Sequence, residues 1–594
     1  MEKSRTQAFQ QFWAIAKPYW FSSEKRGAWG LLLSSGLLLV AYTGLSVALN
    51  TQRGDLISAL SAKDVDRFWR IVLIFLAIVI VYVPLFAGNS YLRNKLALYW
   101  RKWLTNSILG KYFSDRAYYD ITTNSDIDNP DQRIAEDIKS FTQQSLKFSL
   151  ILISSILQII AFSGVLWGIS KPLVIFLVVY ALAGTGVTTA IFGRILVRLN
   201  FEQLKREANF RFGLVRIREN AESIAFYRGE TQESGKVKDL FIDAFDNFNR
   251  LIFWEFNLNL FSNGYEFITF VLPAIIVAPG VFSGEFEVGK VTEAQGAFFR
   301  IFFSLNVIVN QFQDLTSFGA GINRLYTFTT ALESPDLRQH FEAQPELNEQ
   351  PNYTNPQGEP PETETSQRPQ LQRTEKAYLA LAGVTLYTPN HQRTLVQDLS
   401  FALESEQGLL IVGPSGCGKS SLLRAIAGLW NAGNGTIVRP NLEAMLFLPQ
   451  RPYMILGTLR NQLLYPNAAE DITAKDEDLQ RILQQVNLPD LADRFGGFDV
   501  EQDWADLLSL GEQQRIAFAR LLITKPKYAV LDEATNALDI ANEDSLYSHL
   551  KAKSTTFVSV GHRPTLLQYH QLVLELAKDG AWQLIPASEY SFSG

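Results

Sequence analysis

Gly413-Pro-Ser-Gly-Cys-Gly-Lys-Ser420 decides how this chain is read. The octet has the form G-x-x-x-x-G-K-S, follows the apolar run Leu409–Val412 and opens a helix-prone stretch from Ser421 to Leu429. Strand, glycine loop and helix N-terminus together make a cradle for the phosphates of a nucleotide. Gly413, Gly416 and Gly418 let backbone N–H groups approach phosphate oxygens. Ser415, Cys417 and Ser421 are counted with them as nucleotide-binding positions. Lys419 is expected to reach the β- and γ-phosphates, and the Ser420 hydroxyl to complete a Mg²⁺ shell that keeps several waters.

Outward from the octet, composition separates the two halves. The chain has 594 residues, 47% hydrophobic against 19% charged, with a net charge of −6. That length has room for several domains. No basic block points to nucleic acid. The single cysteine, Cys417, rules out an internal disulfide and suits a reducing, nucleotide-facing compartment. It reads as a small filler whose alkylation blocks the site.

The long apolar runs all lie in the first half: Trp29–Ala48, Ile71–Ala87, Phe148–Ile169, Pro172–Phe192, Phe256–Pro279 and Gly296–Phe312. A bilayer core of about 30 Å needs about 20 apolar residues per helix, so six spans are expected. Basic residues crowd the N-terminus and the segments after spans two and four (Arg93, Lys95, Arg101; Arg194, Arg198, Lys205). By the positive-inside rule both termini and the phosphate loop are then cytoplasmic. No short apolar core with a cleavage site stands at the N-terminus, so no secretory signal is expected. The aromatic, charged residues 1–28 read as an interfacial amphipathic helix and 29–334 as the membrane domain. Residues 335–376, rich in Glu, Gln, Pro and Thr, read as a disordered linker, and 377–594 as a soluble domain.

Further motifs follow the octet. The strand-like Lys527–Leu531 ends in Asp532-Glu533. Asp532 is placed to hold Mg²⁺, and Glu533 to polarise a water attacking the γ-phosphate. Leu508-Ser-Leu-Gly-Glu512 resembles the LSGGQ signature of ATP-binding cassette (ABC) ATPases, with Leu510 and Glu512 departing from the consensus. Ser509 and Gly511 stand in place.

The resemblance implies more. Gln450 corresponds to the Q-loop glutamine, counted with both catalysis and metal. Asp539, in Asn536-Ala-Leu-Asp539, belongs to the D-loop. His562 matches the switch histidine on the γ-phosphate, and Tyr387 the aromatic that stacks on adenine. In that family the phosphate loop of one cassette meets the signature (Ser509, Gly511, Glu512) of another. A homodimer with two composite sites is therefore expected. The implied fold is an all-α membrane domain of six helices followed by an α/β P-loop ABC domain.

The membrane half adds Asp128–Ile134 with Asp137, and Phe210–Glu230. These are similar to segments of BacA/SbmA-type peptide permeases and of ABC subfamily D. That likeness implies an exporter-type (type IV) fold that takes substrate without a soluble binding protein. Glu266, Arg300 and Asn306 are expected to line a hydrophilic cavity, because charges inside spans face water or one another. A cobalamin- or peptide-like cargo and a bacterial inner membrane are favoured. Subfamily D members that move fatty acyl-CoA form the alternative. Import toward the cytoplasm, as in BacA-like relatives, is the expected direction, with export, usual for this fold, as the alternative. A proton-coupled permease with a regulatory cassette is the reading from another class.

Overall fold

The first half of the chain is helical among its described residues, and its longest helices, Val65–Phe113 and Glu230–Phe282, are far longer than a bilayer core is thick. The computed structural model describes residues 2–124, 127, 129–305, 307, 311–333, 371–389, 391–467 and 474–592. Two compact units divide the chain, residues 1–353 and 354–594, and each is described by itself.

In the first unit, helix Glu2–Trp20 turns Ile15, Ala16 and Tyr19 inward and leaves Phe9 and Trp13 exposed. Tyr19 stacks on Trp100 at 5.5 Å. Five described helical segments are long and apolar enough to cross a membrane: Lys25–Ser61, Val65–Ile121, Pro130–Ile169, Lys171–Gly193 and Glu230–Phe282. The sixth expected run begins on helix Gly289–Leu305, which has 17 residues and carries Lys290, Glu293 and Arg300. Asn306, expected with Glu266 and Arg300 to line a hydrophilic cavity, lies outside the described residues. Glu230–Phe282 has 53 residues, about 80 Å at 1.5 Å per residue, so more than half of it projects beyond a bilayer core.

Small residues bring the first span and helix Gly289–Leu305 together. The Gly289 N–H donates to Ser58 Oγ (3.1 Å), and a Cβ at Gly289 would collide with the Gly54 carbonyl. Such close backbone approach is how membrane helices gain van der Waals contact without a hydrophobic drive. A cavity of about 330 Å³ opens among four helices of this unit. Its polar lining includes Tyr42, Asn89, Arg93, Ser154, Gln158 and Ser304.

The second unit holds strands β1 (Gln372–Glu375), β2 (Leu379–Tyr387), β3 (Thr394–Leu403), β4 (Gly408–Val412), β5 (Gly433–Arg439) and β6 (Met445–Leu448). The later strands are β7 (Gly457–Thr458), β8 (Glu501–Gln502), β9 (Tyr528–Asp532), β10 (Thr556–Val560), β11 (Leu572–Leu576) and β12 (Trp582–Pro586). One sheet runs β12-β11-β4-β10-β9-β6, parallel except at the β12 edge. β4 is buried on both faces, as a central parallel strand of continuous Leu, Ile and Val must be. A second sheet runs β1-β5-β2-β3. Most of the expected linker falls outside the described residues, but its end does not: β1 pairs in parallel with β5, so the sheet begins at Gln372 rather than near Ala377.

Candidate functional site

Four adjacent parallel strands end in four motifs. β4 runs into the glycine loop, β9 into Asp532-Glu533, β10 into Gly561-His562 and β6 into Pro449-Gln450. The register pairs Val560 with Asp532 and Leu448 with Leu531, which sets their carboxyl ends side by side. The crevice beyond those ends is where open α/β sheets bind ligands.

Within the loop, Gly413, Gly416 and Gly418 have φ of 137°, 78° and 108°. A Cβ at Gly413 would strike the Leu576 carbonyl, so only glycine fits there. Helix Lys419–Ala427 starts immediately after Gly418. Lys419 Nζ donates to the carbonyls of Gly413 (2.8 Å) and Pro414 (3.1 Å), which folds its ammonium over the loop. Ser415 is exposed and Ser421 half-buried. Cys417 points inward, 1% exposed, among Leu395, Ile411 and Leu422. That position suits a small filler, and a thiol shielded to that degree is a slow alkylation target.

Ser420 Oγ donates to Asp532 Oδ1 at 3.0 Å, across 112 residues of sequence. Burial pushes the Asp532 carboxyl above the usual aspartate range, against the opposing pull of the Ser420 hydroxyl. One hydroxyl and one desolvated carboxylate suit Mg²⁺, which takes few protein ligands and keeps waters. No cluster of three His, Cys, Asp or Glu stands among the described residues, and this donor set needs none.

Glu533 is the hub. Its φ of 49° is left-handed, a strained conformation for a non-glycine residue. Its N–H donates to the Val560 carbonyl at 3.2 Å, which holds the turn. Three side chains then meet its carboxylate: Gln450 Nε2 at 2.8 Å, Asn536 Nδ2 at 2.7 Å and His562 Nε2 at 3.4 Å. Gln450 thus turns its amide nitrogen to Glu533 and stands as an orienting partner of that carboxylate.

Ser509 caps helix Leu510–Thr524 in a reciprocal capping box. Glu512 N–H donates to Ser509 Oγ, while the Ser509 N–H and hydroxyl both donate to Glu512 Oε2 at 2.9 Å. The departure from consensus at position 512 therefore has a local structural role. Burial raises the Glu512 carboxyl, but Arg494, donating at 2.7 Å, and the Ser509 bonds bring it below the usual glutamate range. A Cβ at Gly511 would lie 3.2 Å from the Ala537 carbonyl. Asp539 caps the next helix, Ile540–Ala552, accepting the Asn542 N–H at 2.7 Å. Tyr387 closes β2 half-buried, its ring 5.5 Å from His391 and its carbonyl accepting Trp430 Nε1 at 3.0 Å.

Sequence reading passed over Gln514. It is 1% exposed, its Nε2 donates to the Gln450 carbonyl (3.3 Å) and its Oε1 accepts the Ala537 N–H (3.1 Å). Signature helix, Q-loop and D-loop are thereby tied through one amide. A polar residue on an otherwise apolar helix face was the available signal. In the membrane unit, Glu266 and Arg300 form no ion pair with each other among the described residues, and neither lines the 330 Å³ cavity.

Glycine loop, hydroxyl–carboxylate pair and a neighbouring glutamate at the ends of parallel strands define a phosphate-loop ATPase. The family description "ABC transporter" matches residues 396–536, and "ABC transporter transmembrane region 2" matches 15–282. An ABC transporter ATP-binding protein of Synechocystis sp. is 48% identical over 560 residues, covering 94% of this chain and 81% of that relative. The chloroplastic ABC transporter D family member 2 of Arabidopsis thaliana is 39% identical over 620 residues, 96% and 86% of the two chains. A lysosomal cobalamin transporter of Mus musculus is 33% identical over 549 residues, 88% of each. The chain belongs to the ABC transporters and is homologous to the D-family half-transporters. It is a multi-pass membrane protein whose ATPase, using ATP and Mg²⁺, is coupled to transport.

Proposed function

We propose that two copies of this chain form one transporter that carries a hydrophilic or amphipathic solute, cobalamin- or peptide-like, toward the cytoplasm. It works in a bacterial inner membrane with both termini and both ATPase domains cytoplasmic, and without a soluble binding protein. The polar lining of the membrane cavity carries this reading. Asn89 is bonded to Ser35, Gln158 to Ser154, Ser304 to Gln158 and Arg93 to Ser90, so the lining is a bonded polar network with spare acceptor and donor capacity and a positive charge, which an acyl chain would desolvate at a cost. The likeness to a lysosomal cobalamin transporter agrees with it, as does the sequence resemblance of Asp128–Ile134 and Phe210–Glu230 to BacA/SbmA-type permeases. Glu266 and Arg300 are proposed to extend the polar path rather than to form this cavity.

At the ATPase site, Mg²⁺ supplies charge neutralisation on the transferred phosphoryl group. Lys419 adds positive charge at the loop. Glu533, held by Gln450 and Asn536, orients and polarises the attacking water, and His562 stands beside it. Ser509 and Gly511 of the second copy complete each site.

Protein reconstituted in liposomes, selected for cassettes facing the bath and loaded with labelled cobalamin, tests the proposal. Mg-ATP outside should release the label from wild type and not from Glu533→Gln, whose hydrolysis falls by about a hundredfold or more. Release by Glu533→Gln at the wild-type rate would instead make the cassette regulatory and the transport proton-driven.

A further inference from the structure

The first unit contains a second pocket, of about 430 Å³, between helices Arg194–Glu219 and Glu230–Phe282. Ile195, Arg198, Leu199, Asn249, Arg250 and Trp254 line it, together with Phe253. Neither ATP chemistry nor the solute cavity uses it. We infer that this pocket binds the phosphate of an anionic phospholipid headgroup at the cytoplasmic face of the bilayer.

Depth is the first argument. Arg198 lies six residues past Phe192, where the fourth apolar run ends, and Arg250 six residues before Phe256, where the fifth begins. On helices that is about 9 Å below the hydrocarbon edge on each side, within an arginine's upward reach of the headgroup layer. Two guanidiniums from neighbouring helices therefore approach the same layer.

Charge is the second. Neither Arg198 nor Arg250 has an ion-pair or hydrogen-bond partner among the described residues, and both are exposed. The nearest acids do not satisfy them. Glu202, one turn from Arg198, goes to Arg206 at 3.8 Å, and Asp246, one turn from Arg250, makes no ion pair among the described residues. Two arginines that line one pocket at a membrane surface, and that pair with nothing among the described residues, suit a phosphate, which accepts forked hydrogen bonds.

Pre-organisation is the third. Just above, Phe192, Leu196, Leu199 and Leu251 form a buried cluster, with Trp254 packed edge-on to Phe192 at 6.3 Å. Just below, Asn247 Nδ2 donates to the Leu199 carbonyl (3.0 Å) and to Gln203 Oε1 (2.9 Å). The helices are thus pinned on both sides of the pocket, with an aromatic belt residue and the exposed Phe253 facing acyl chains.

Full-length protein in detergent, supplemented with phosphatidylglycerol or phosphatidylcholine, tests the inference by native mass spectrometry of retained lipid. Wild type should keep phosphatidylglycerol preferentially. Arg198→Gln/Arg250→Gln should lose about thirtyfold in that affinity, and the double lysine variant should keep most of it. Competition by glycerol phosphate at millimolar concentration would make the ligand a free phosphate and overturn the lipid assignment. Equal phosphatidylglycerol retention by wild type and the glutamine variant would overturn it too. So would conversion of that variant to monomers, since the arginines would then bind a second copy. Should the glutamine variant fail to fold, loss of retention in Trp254→Ala alongside intact retention in the lysine variant decides the matter.

Discussion

Asp532 is where function works against stability. Its folded pKa lies above that of the unfolded chain because burial disfavours the charge. Its contribution is therefore fully favourable only below the unfolded value and is lost as pH rises through the folded one, leaving a penalty at neutral pH. Without Mg²⁺ at pH 7, Asp532→Asn should melt at a higher temperature than wild type, while losing Mg-dependent hydrolysis; calorimetry and phosphate release report the two. His570 behaves in the opposite sense. Its Nδ1 donates to the Leu566 carbonyl at 2.7 Å, its Nε2 has no partner among the described residues, and burial pushes it down to about 4. A neutral buried imidazole must charge on unfolding, so stability falls as pH drops from about 6.5 toward 4, by up to about 3 kcal/mol. Urea titrations across that window should show this acid limb in wild type and a flatter one in His570→Gln.

Among the elements, the contact of helix Lys25–Ser61 with helix Gly289–Leu305 is the least forgiving. Gly289 and Gly54 meet backbone to backbone, so no rotamer change makes room for a methyl group. Gly289→Val should cost about 1–3 kcal/mol of membrane-domain stability, read as a lower melting temperature in detergent. Gly36→Ala, on the same first helix with open space around it, should leave the melt unchanged. Gly289 also shows what the sequence hid. Apolar runs revealed that helices cross the membrane, because a bilayer sets their length, and the glycine loop and Asp532-Glu533 revealed the ends of β4 and β9. Which helix surfaces touch depends on tertiary packing, which no run of Leu and Val encodes. Hence Glu266 and Arg300 stood out as intramembrane charges, while the cavity formed from Asn89, Ser154 and Gln158, polar residues common enough to pass unnoticed. Gln514 escaped for the same reason: its partners are backbone groups far along the chain.

For the whole molecule, the proposed composite sites make inactive copies rescue one another. A Lys419→Ala chain keeps its signature, and a Gly511→Asp chain keeps its phosphate loop. Each alone should be inactive, whereas their equal co-expression should restore about a quarter of wild-type hydrolysis, from one intact site in half of the dimers. Purified mixtures carrying two different tags give that measurement, and no recovery would mean each chain closes its own site. The orientation of Cys417 bears on how such a machine can be watched. Because the chain's one thiol is sealed in the core, the native protein is already a silent background for thiol chemistry. A cysteine placed on any exposed turn is the single reactive position in each copy. A dimer of that variant carries two spectroscopic labels, and the distance between them reports opening and closing during turnover with every natural residue of the phosphate loop intact.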